Sequence, residues 1–297
     1  MTIDVYLASA SGPCRAVLMT AKYLGVDVNQ KMVNLMTGEQ LKPEYLKMNP
    51  QHCVPTIDDN GFYLWESRAI LTYLANKYAP ENPVYPKDPK ERAVVDRMLY
   101  FDIGTLYKAE GEYLYPQLFR GQAADPEKAE AFKKALALLE EFLSKTSYVA
   151  GNHITLADFS ILASLSFAEV ADYSYADFPK ITAWLQKLKS EVPSYKEIND
   201  IPLQQFKDFL KSKNLQFDVN TDFAVLVKCR FEIQTEEKLL IEVYETYAAT
   251  KFSKLSTNPN TKIISNGASV WIFAMIGKVK EAMSRVKQEI GMATSIN

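Results

Sequence analysis

The 297-residue chain is poor in the residues that build disulfide and metal scaffolds. It has three cysteines, Cys14, Cys53 and Cys229, and two histidines, His52 and His153. An odd number of scattered cysteines argues against a disulfide framework and suggests a reducing compartment. Two histidines without further ligands at recognisable spacing leave no zinc site of the usual kind, so no metal is expected. Excess charge of one sign is also missing: 34 basic residues face 36 acidic ones, a formal net charge of -2. No global field then draws nucleic acid or anionic lipid, and neither is an expected partner. The longest uncharged apolar run, residues 268–277, falls well short of the roughly 20 residues a membrane span needs. The opening MTIDVYLASASG has no basic region followed by an apolar segment, so neither a secretory signal nor a presequence is read there. A soluble cytoplasmic protein is expected, and the length suggests two domains.

What is present begins with a β-branched and aromatic run, Ile3 to Leu7, then small residues and Pro13, a favoured residue in the first turn of a helix. Val17, Leu18, Ala21 and Leu24 recur at helical spacing, and Gly25 stops the pattern. Residues 26–35 predict a second strand, completing a strand-helix-strand unit of about 30 residues, the size of a crossover. Val54-Pro55-Thr56-Ile57 and Phe62 to Trp65 flank Asn60-Gly61, a strong hairpin signal. Residues 69–78 are helical in pattern. This β-α-β, hairpin, helix order is thioredoxin-like. A strand led by Pro55 is awkward inside a sheet unless its nitrogen faces a site, and a cis Val54–Pro55 peptide is the simplest arrangement.

Residues 79–90, APENPVYPKDPK, read as a linker. Helical patterns then cover residues 91–115, 126–145, 156–171, 179–190 and 201–212, with a Thr155/Asp158 capping-box pattern before the third. The expected organisation is a thioredoxin-like domain over 1–80, a linker over 81–90, an all-helical domain over 91–212, and an extension over 213–297. In that extension the pattern suggests a strand at 223–231 and helices at 236–252 and 268–290.

The segment Ser9-Ala10-Ser11-Gly12-Pro13-Cys14 looks like a redox C-x-x-C whose first cysteine is a serine. In dithiol enzymes that first position attacks, so disulfide chemistry through a cysteine pair is unavailable. Cys14 is read as a small packed residue. A helix N-terminus favours an anion, and only a thiolate is a strong sulfur nucleophile. A hydroxyl donating to sulfur lowers the thiol pKa further. Taken alone, Ser11 and Ser67 are ordinary helix caps, His52 a loop histidine, Glu66 and Arg68 an ion pair, and the tyrosines and phenylalanines core residues.

In series, the motifs say more. Ser11-Gly12-Pro13-Cys14-Arg15, Asn49-Pro50-Gln51-His52-Cys53-Val54-Pro55-Thr56 and Leu64-Trp65-Glu66-Ser67-Arg68-Ala69-Ile70 resemble the glutathione site of cytosolic glutathione transferases. Residues 99–107 and Tyr115-Pro116-Gln117 make the chain similar to the insect delta class, over residues 1 to about 212. The resemblance implies a glutathione transferase fold, a homodimer with a site in each subunit, and no cofactor beyond glutathione as co-substrate. It implies that Ser11 holds and activates the glutathione thiol and that the Val54 backbone, turned by Pro55, pairs with the cysteinyl unit. Glu66 would meet the γ-glutamyl ammonium, and Ser67 and Arg68 its carboxylate, with Asp102 supporting Arg68. His52 would approach the glycine carboxylate. Gln40 stands where delta members often carry histidine. A hydrophobic electrophile would lie among Tyr107, Tyr115, Phe119, Phe206 and Phe209, with Glu110 making one wall more polar than usual. The first loop is one residue longer than the family's, so Ser9 rivals Ser11; the two-residue offset from Pro13 favours Ser11. A non-catalytic relative that binds apolar ligands or mounts a protein interaction is the alternative, favoured by the extension over 213–297.

Overall fold

The computed structural model describes residues 2–212. The strand and two helices expected beyond residue 213 lie outside the described residues. Strand β1 (Ile3–Leu7) buries alternate residues, Ile3, Val5 and Leu7, as a strand with one covered face must. Helix α1 (Gly12–Tyr23) starts with proline in its first turn and buries most of its length. Strand β2 (Val28–Met32) is shorter than the span expected and largely exposed. Two 3-10 turns and a six-residue helix, α2 (Pro43–Met48), fill the segment before the Pro55 strand. The sequence pattern missed these short turns, which have too few residues to show a period.

Strands β3 (Thr56–Asp59) and β4 (Phe62–Trp65) form the expected hairpin, with Asn60 and Gly61 at positive φ. Helix α3 (Ser67–Tyr78) follows. The sheet order is β2-β1-β3-β4, with β1 and β2 parallel and the other pairs antiparallel. The order matches the thioredoxin-like reading, and the Val54–Pro55 peptide is cis. The sheet's far end is closed by Asp59, which accepts from Tyr73, Lys77 and Tyr78, each at 2.6 Å, tying β3 to the last turns of α3.

The second half is helical: α4 (Pro89–Phe101), α5 (Tyr107–Arg120), α6 (Pro126–Leu143), α7 (Leu156–Ala168), α8 (Pro179–Glu191) and α9 (201–212). Thr155 and Asp158 form the expected cap, the Thr155 backbone N–H donating to the Asp158 carboxylate at 2.8 Å. The one long helix expected over 91–115 is instead α4 and α5, joined by a π turn at Asp102–Leu106. A π turn closes i to i+5, here the Tyr107 N–H on the Asp102 carbonyl, so these two residues lie on nearly one face. In a regular helix residues five apart point in different directions.

Candidate functional site

The sheet's topology gathers the candidate residues before any side chain is considered. β3 runs antiparallel to β1 with Tyr6 opposite Thr56, so the Val54–Pro55 entry to β3 lies at the end where β1 leaves for Ser11. β4 is antiparallel to β3 with Trp65 opposite Thr56, so Glu66, Ser67 and Arg68 emerge at that same end. One end of the sheet thus holds two helix starts and a cis-proline turn.

Ser11 stands at the N-cap of α1 in extended conformation, yet its side chain makes no capping hydrogen bond. A serine there ordinarily accepts from the helix's first N–H groups. Ser9 lies in the preceding turn, which closes with the Ser11 N–H on the Ala8 carbonyl at 3.0 Å. Cys14 is fully buried in the core; burial pushes its thiol up to about 11, against the opposing effects of the Ser11 hydroxyl and the Ala8 backbone. A thiol so raised is protonated at neutral pH and inert.

Pro55 is buried and Val54 half-buried, held by a polar knot on the preceding residue. The Cys53 carbonyl accepts from Tyr45 Oη at 2.7 Å, Asn49 Nδ2 at 3.1 Å and Thr56 Oγ1 at 3.1 Å. Asn49 is wholly buried, so this knot fixes the loop from inside. His52 is exposed, at φ +44°. Gln40, in the second 3-10 turn, has a buried Oε1 without a partner.

Glu66 carries φ +68°, a left-handed conformation costing about 1–3 kcal/mol for a side chain of this kind. Its side chain is exposed, and the next residue, Ser67, is buried at the first position of α3. Arg68 donates to Asp102 at 2.5 Å and lies 5.4 Å from the Tyr107 ring centroid. The π turn makes that double contact available. Asp102 is wholly buried and also accepts from Ser160 Oγ at 2.5 Å and Ser164 Oγ at 3.0 Å, both on α7. These serines were invisible in the sequence, because the apolar run of α7 hides two polar residues one turn apart.

The aromatic residues form one connected wall. Tyr115 Oη donates to Tyr107 Oη at 2.9 Å, and the Tyr115 ring lies 5.5 Å from that of Phe119. Phe119 continues to Phe206 at 6.0 Å, and Phe206 stacks on Phe209 at 6.3 Å. Phe167 of α7, which the sequence reading missed, joins Tyr115 to Phe206. Two clefts of about 330 and 380 Å³ flank the Lys189–Glu169 ion pair on the helical half and include none of these residues.

Glu110 is 1% exposed, and neither carboxylate oxygen has a hydrogen-bond partner. Burial, and then the Asp102 charge, push its carboxyl well up, while Arg15 works against them. A carboxyl raised on folding keeps its proton in the native state after the unfolded chain has released it. Its contribution to stability is therefore complete below the ordinary carboxylate value of 4.5 and is lost as pH rises toward the folded value. Glu110→Gln, which has no proton to lose, is expected to melt higher than the wild type at neutral pH, with a flatter dependence of Tm on pH above that window. Thermal melts across the range check this; parallel curves for the two proteins would refute it.

The glutathione S-transferase N-terminal domain family matches residues 3–76 and the corresponding C-terminal domain family residues 98–191. Among solved structures, a delta-class glutathione transferase of Nilaparvata lugens is 47% identical, covering 71% of this chain and 99% of its own, with a TM-score of 0.68. A glutathione transferase of Bombyx mori is 43% identical, covering 70% and 98%, also at 0.68. An epsilon-class glutathione S-transferase of the housefly, Musca domestica, is 39% identical, covering 72% and 99%, at 0.67. With the sheet end, the two helix starts and the helical half in their places, the chain belongs to the glutathione S-transferase family.

Proposed function

We propose that the chain transfers the thiolate of glutathione to hydrophobic electrophiles, by substitution or conjugate addition, with Ser11 activating the thiol. The observation that carries this reading is that Ser11 occupies a helix N-cap without capping the helix: its hydroxyl hydrogen-bonds the buried Cys14 thiol, a weak partner that a ligand thiolate displaces. A hydroxyl that donates to sulfur stabilises the thiolate over the thiol, and the N-terminal field of α1 acts in the same direction. The Val54 backbone beside Pro55 meets the cysteinyl unit. Glu66 takes the γ-glutamyl ammonium, while Ser67 and Arg68 take its carboxylate at the start of α3. His52 and Gln40 receive the glycine end, the Gln40 amide N–H donating to the carboxylate. The electrophile lies against the wall from Tyr107 to Phe209, and two copies of the chain pair with one site each. The sulfur bond forms on bound glutathione, so no covalent enzyme intermediate arises; proximity and electrostatics supply the rate.

Purified full-length protein is expected to be retained on immobilised glutathione and to conjugate chloronitrobenzene, releasing chloride. Retention without conjugation of any of a panel of aryl halides and unsaturated carbonyls would favour the non-catalytic ligand binder. Loss of both would sink the proposal.

A further inference from the structure

Among the described residues Arg15 is the one fully buried cation. All the acceptors of its guanidinium are neutral. Nη1 donates to Ser166 Oγ at 2.7 Å and to Asn199 Oδ1, Nη2 to the Ala163 carbonyl at 2.9 Å, and Nε to the Ala10 carbonyl at 3.4 Å. Among the described residues no carboxylate forms an ion pair with it. A buried charge without a counter-charge is costly, and proteins ordinarily pair it. Here neutral dipoles hold it in place, and no ion pair among the described residues offsets its charge.

The location of that charge matters. Ala10 precedes Ser11 and Gly12 follows it; a Cβ on Gly12 would stand 3.7 Å from Arg15 Nη2 and 3.2 Å from the Ala163 carbonyl oxygen. The guanidinium therefore flanks Ser11 on both sides along the chain, behind the same helix start that faces the candidate thiol. The titratable groups facing it are Tyr195, just before a π turn at Lys196–Asp200, Glu110 and Tyr107 on α5, and Cys14 on α1; from α7 the Ser166 hydroxyl and the Ala163 carbonyl meet it. Burial lowers the Arg15 guanidinium to about 10, which leaves it charged at neutral pH. Burial pushes the carboxyl of Glu110, the one carboxylic acid of the set, toward its neutral form, and Asp102 is paired with Arg68.

We propose that Arg15 is a positioning residue for the thiol site: its interior charge, in no ion pair and held between Ala10 and Gly12, acts through the Ser11 turn to favour the ionised form of the bound thiol. This rests on the reading that Ser11 receives glutathione sulfur. A unit charge several ångströms away in a protein environment shifts an ionisation by on the order of one pH unit.

The test is the ultraviolet absorbance of the thiolate of glutathione bound to full-length protein, followed against pH. Asn199→Asp places a carboxylate on the guanidinium and neutralises it without removing it. The midpoint is expected to rise by about one pH unit, a tenfold loss of thiolate below it. Ser166→Ala removes one neutral acceptor and keeps the charge; it should lower Tm and leave the midpoint in place. An unmoved midpoint in Asn199→Asp, or an equal shift in Ser166→Ala, overturns the inference. Arg15→Lys, which keeps the charge, should titrate nearer the wild type than Arg15→Gln does, and the reverse order also overturns it. If the wild type shows no bound thiolate, or one titrating like free glutathione, the proposed function fails and takes this inference with it. If Ser11→Ala raises the midpoint and Asn199→Asp does not, only the role of Arg15 fails.

Discussion

Replacing Ser11 by alanine is expected to lower kcat/KM for conjugation at neutral pH by about 100-fold, equivalent to about 2.7 kcal/mol of transition-state stabilisation. The hydroxyl is the candidate donor to sulfur, and without it the bound thiol moves toward its value in solution. The deficit should therefore shrink as pH rises, because alkaline solution supplies the thiolate that the variant no longer stabilises. A cap-forming serine would also cost about 1 kcal/mol of stability when removed. Ser11 makes no such bond and gives up only a weak one to the Cys14 thiol, so Tm should change little. The pattern of large rate loss with a small stability change separates a functional serine from a structural cap. Ser9→Ala is the companion variant: if it carries the rate loss and Ser11→Ala does not, the extra residue in the first loop shifts the thiol contact to Ser9.

Asp102→Ala is expected to cost about 3–5 kcal/mol, the penalty for stranding one partner of a buried ion pair. Its carboxylate has no exposure and receives Arg68 from α3 and Ser160 and Ser164 from α7. Removing it leaves a cation, 13% exposed at its side chain, and two hydroxyls without their acceptor. For a unit of about 200 residues that loss corresponds to a fall in Tm of roughly 10 °C. The same substitution frees the Arg68 side chain, at the start of α3, from its buried anchor, so KM for glutathione should rise more than kcat falls. Asp102→Asn keeps the shape and loses the charge, and should lie between. A variant that melts lower while KM stays at the wild-type value would show that Asp102 supports the fold and not the γ-glutamyl end.

Much of this architecture is written in local signals. The Asn60-Gly61 turn, the proline-led helix α1, the cap at Thr155 and the cis Val54–Pro55 peptide each follow from a few adjacent residues whose backbone preferences are strong. The short turns at 35–41 and α2 did not announce themselves, because three to six residues cannot display a period. The division of one expected helix at Asp102 escaped for a different reason: Asp102 and Tyr107 meet Arg68 from another segment, and that contact has no local counterpart.

The site divides along the same line. Sequence alone determined which residue types stand at the two helix starts and beside Pro55, because those motifs are contiguous and their chemistry depends on neighbours in the chain. Only the tertiary structure decided which charges are buried and what they meet. Glu110, expected on a polar wall, is enclosed without a partner; Arg15, an ordinary helix residue by pattern, is enclosed among neutral acceptors on α7 and beyond it. Burial is a property of packing between elements distant in the chain, and the cost of a charge depends on the groups packed around it.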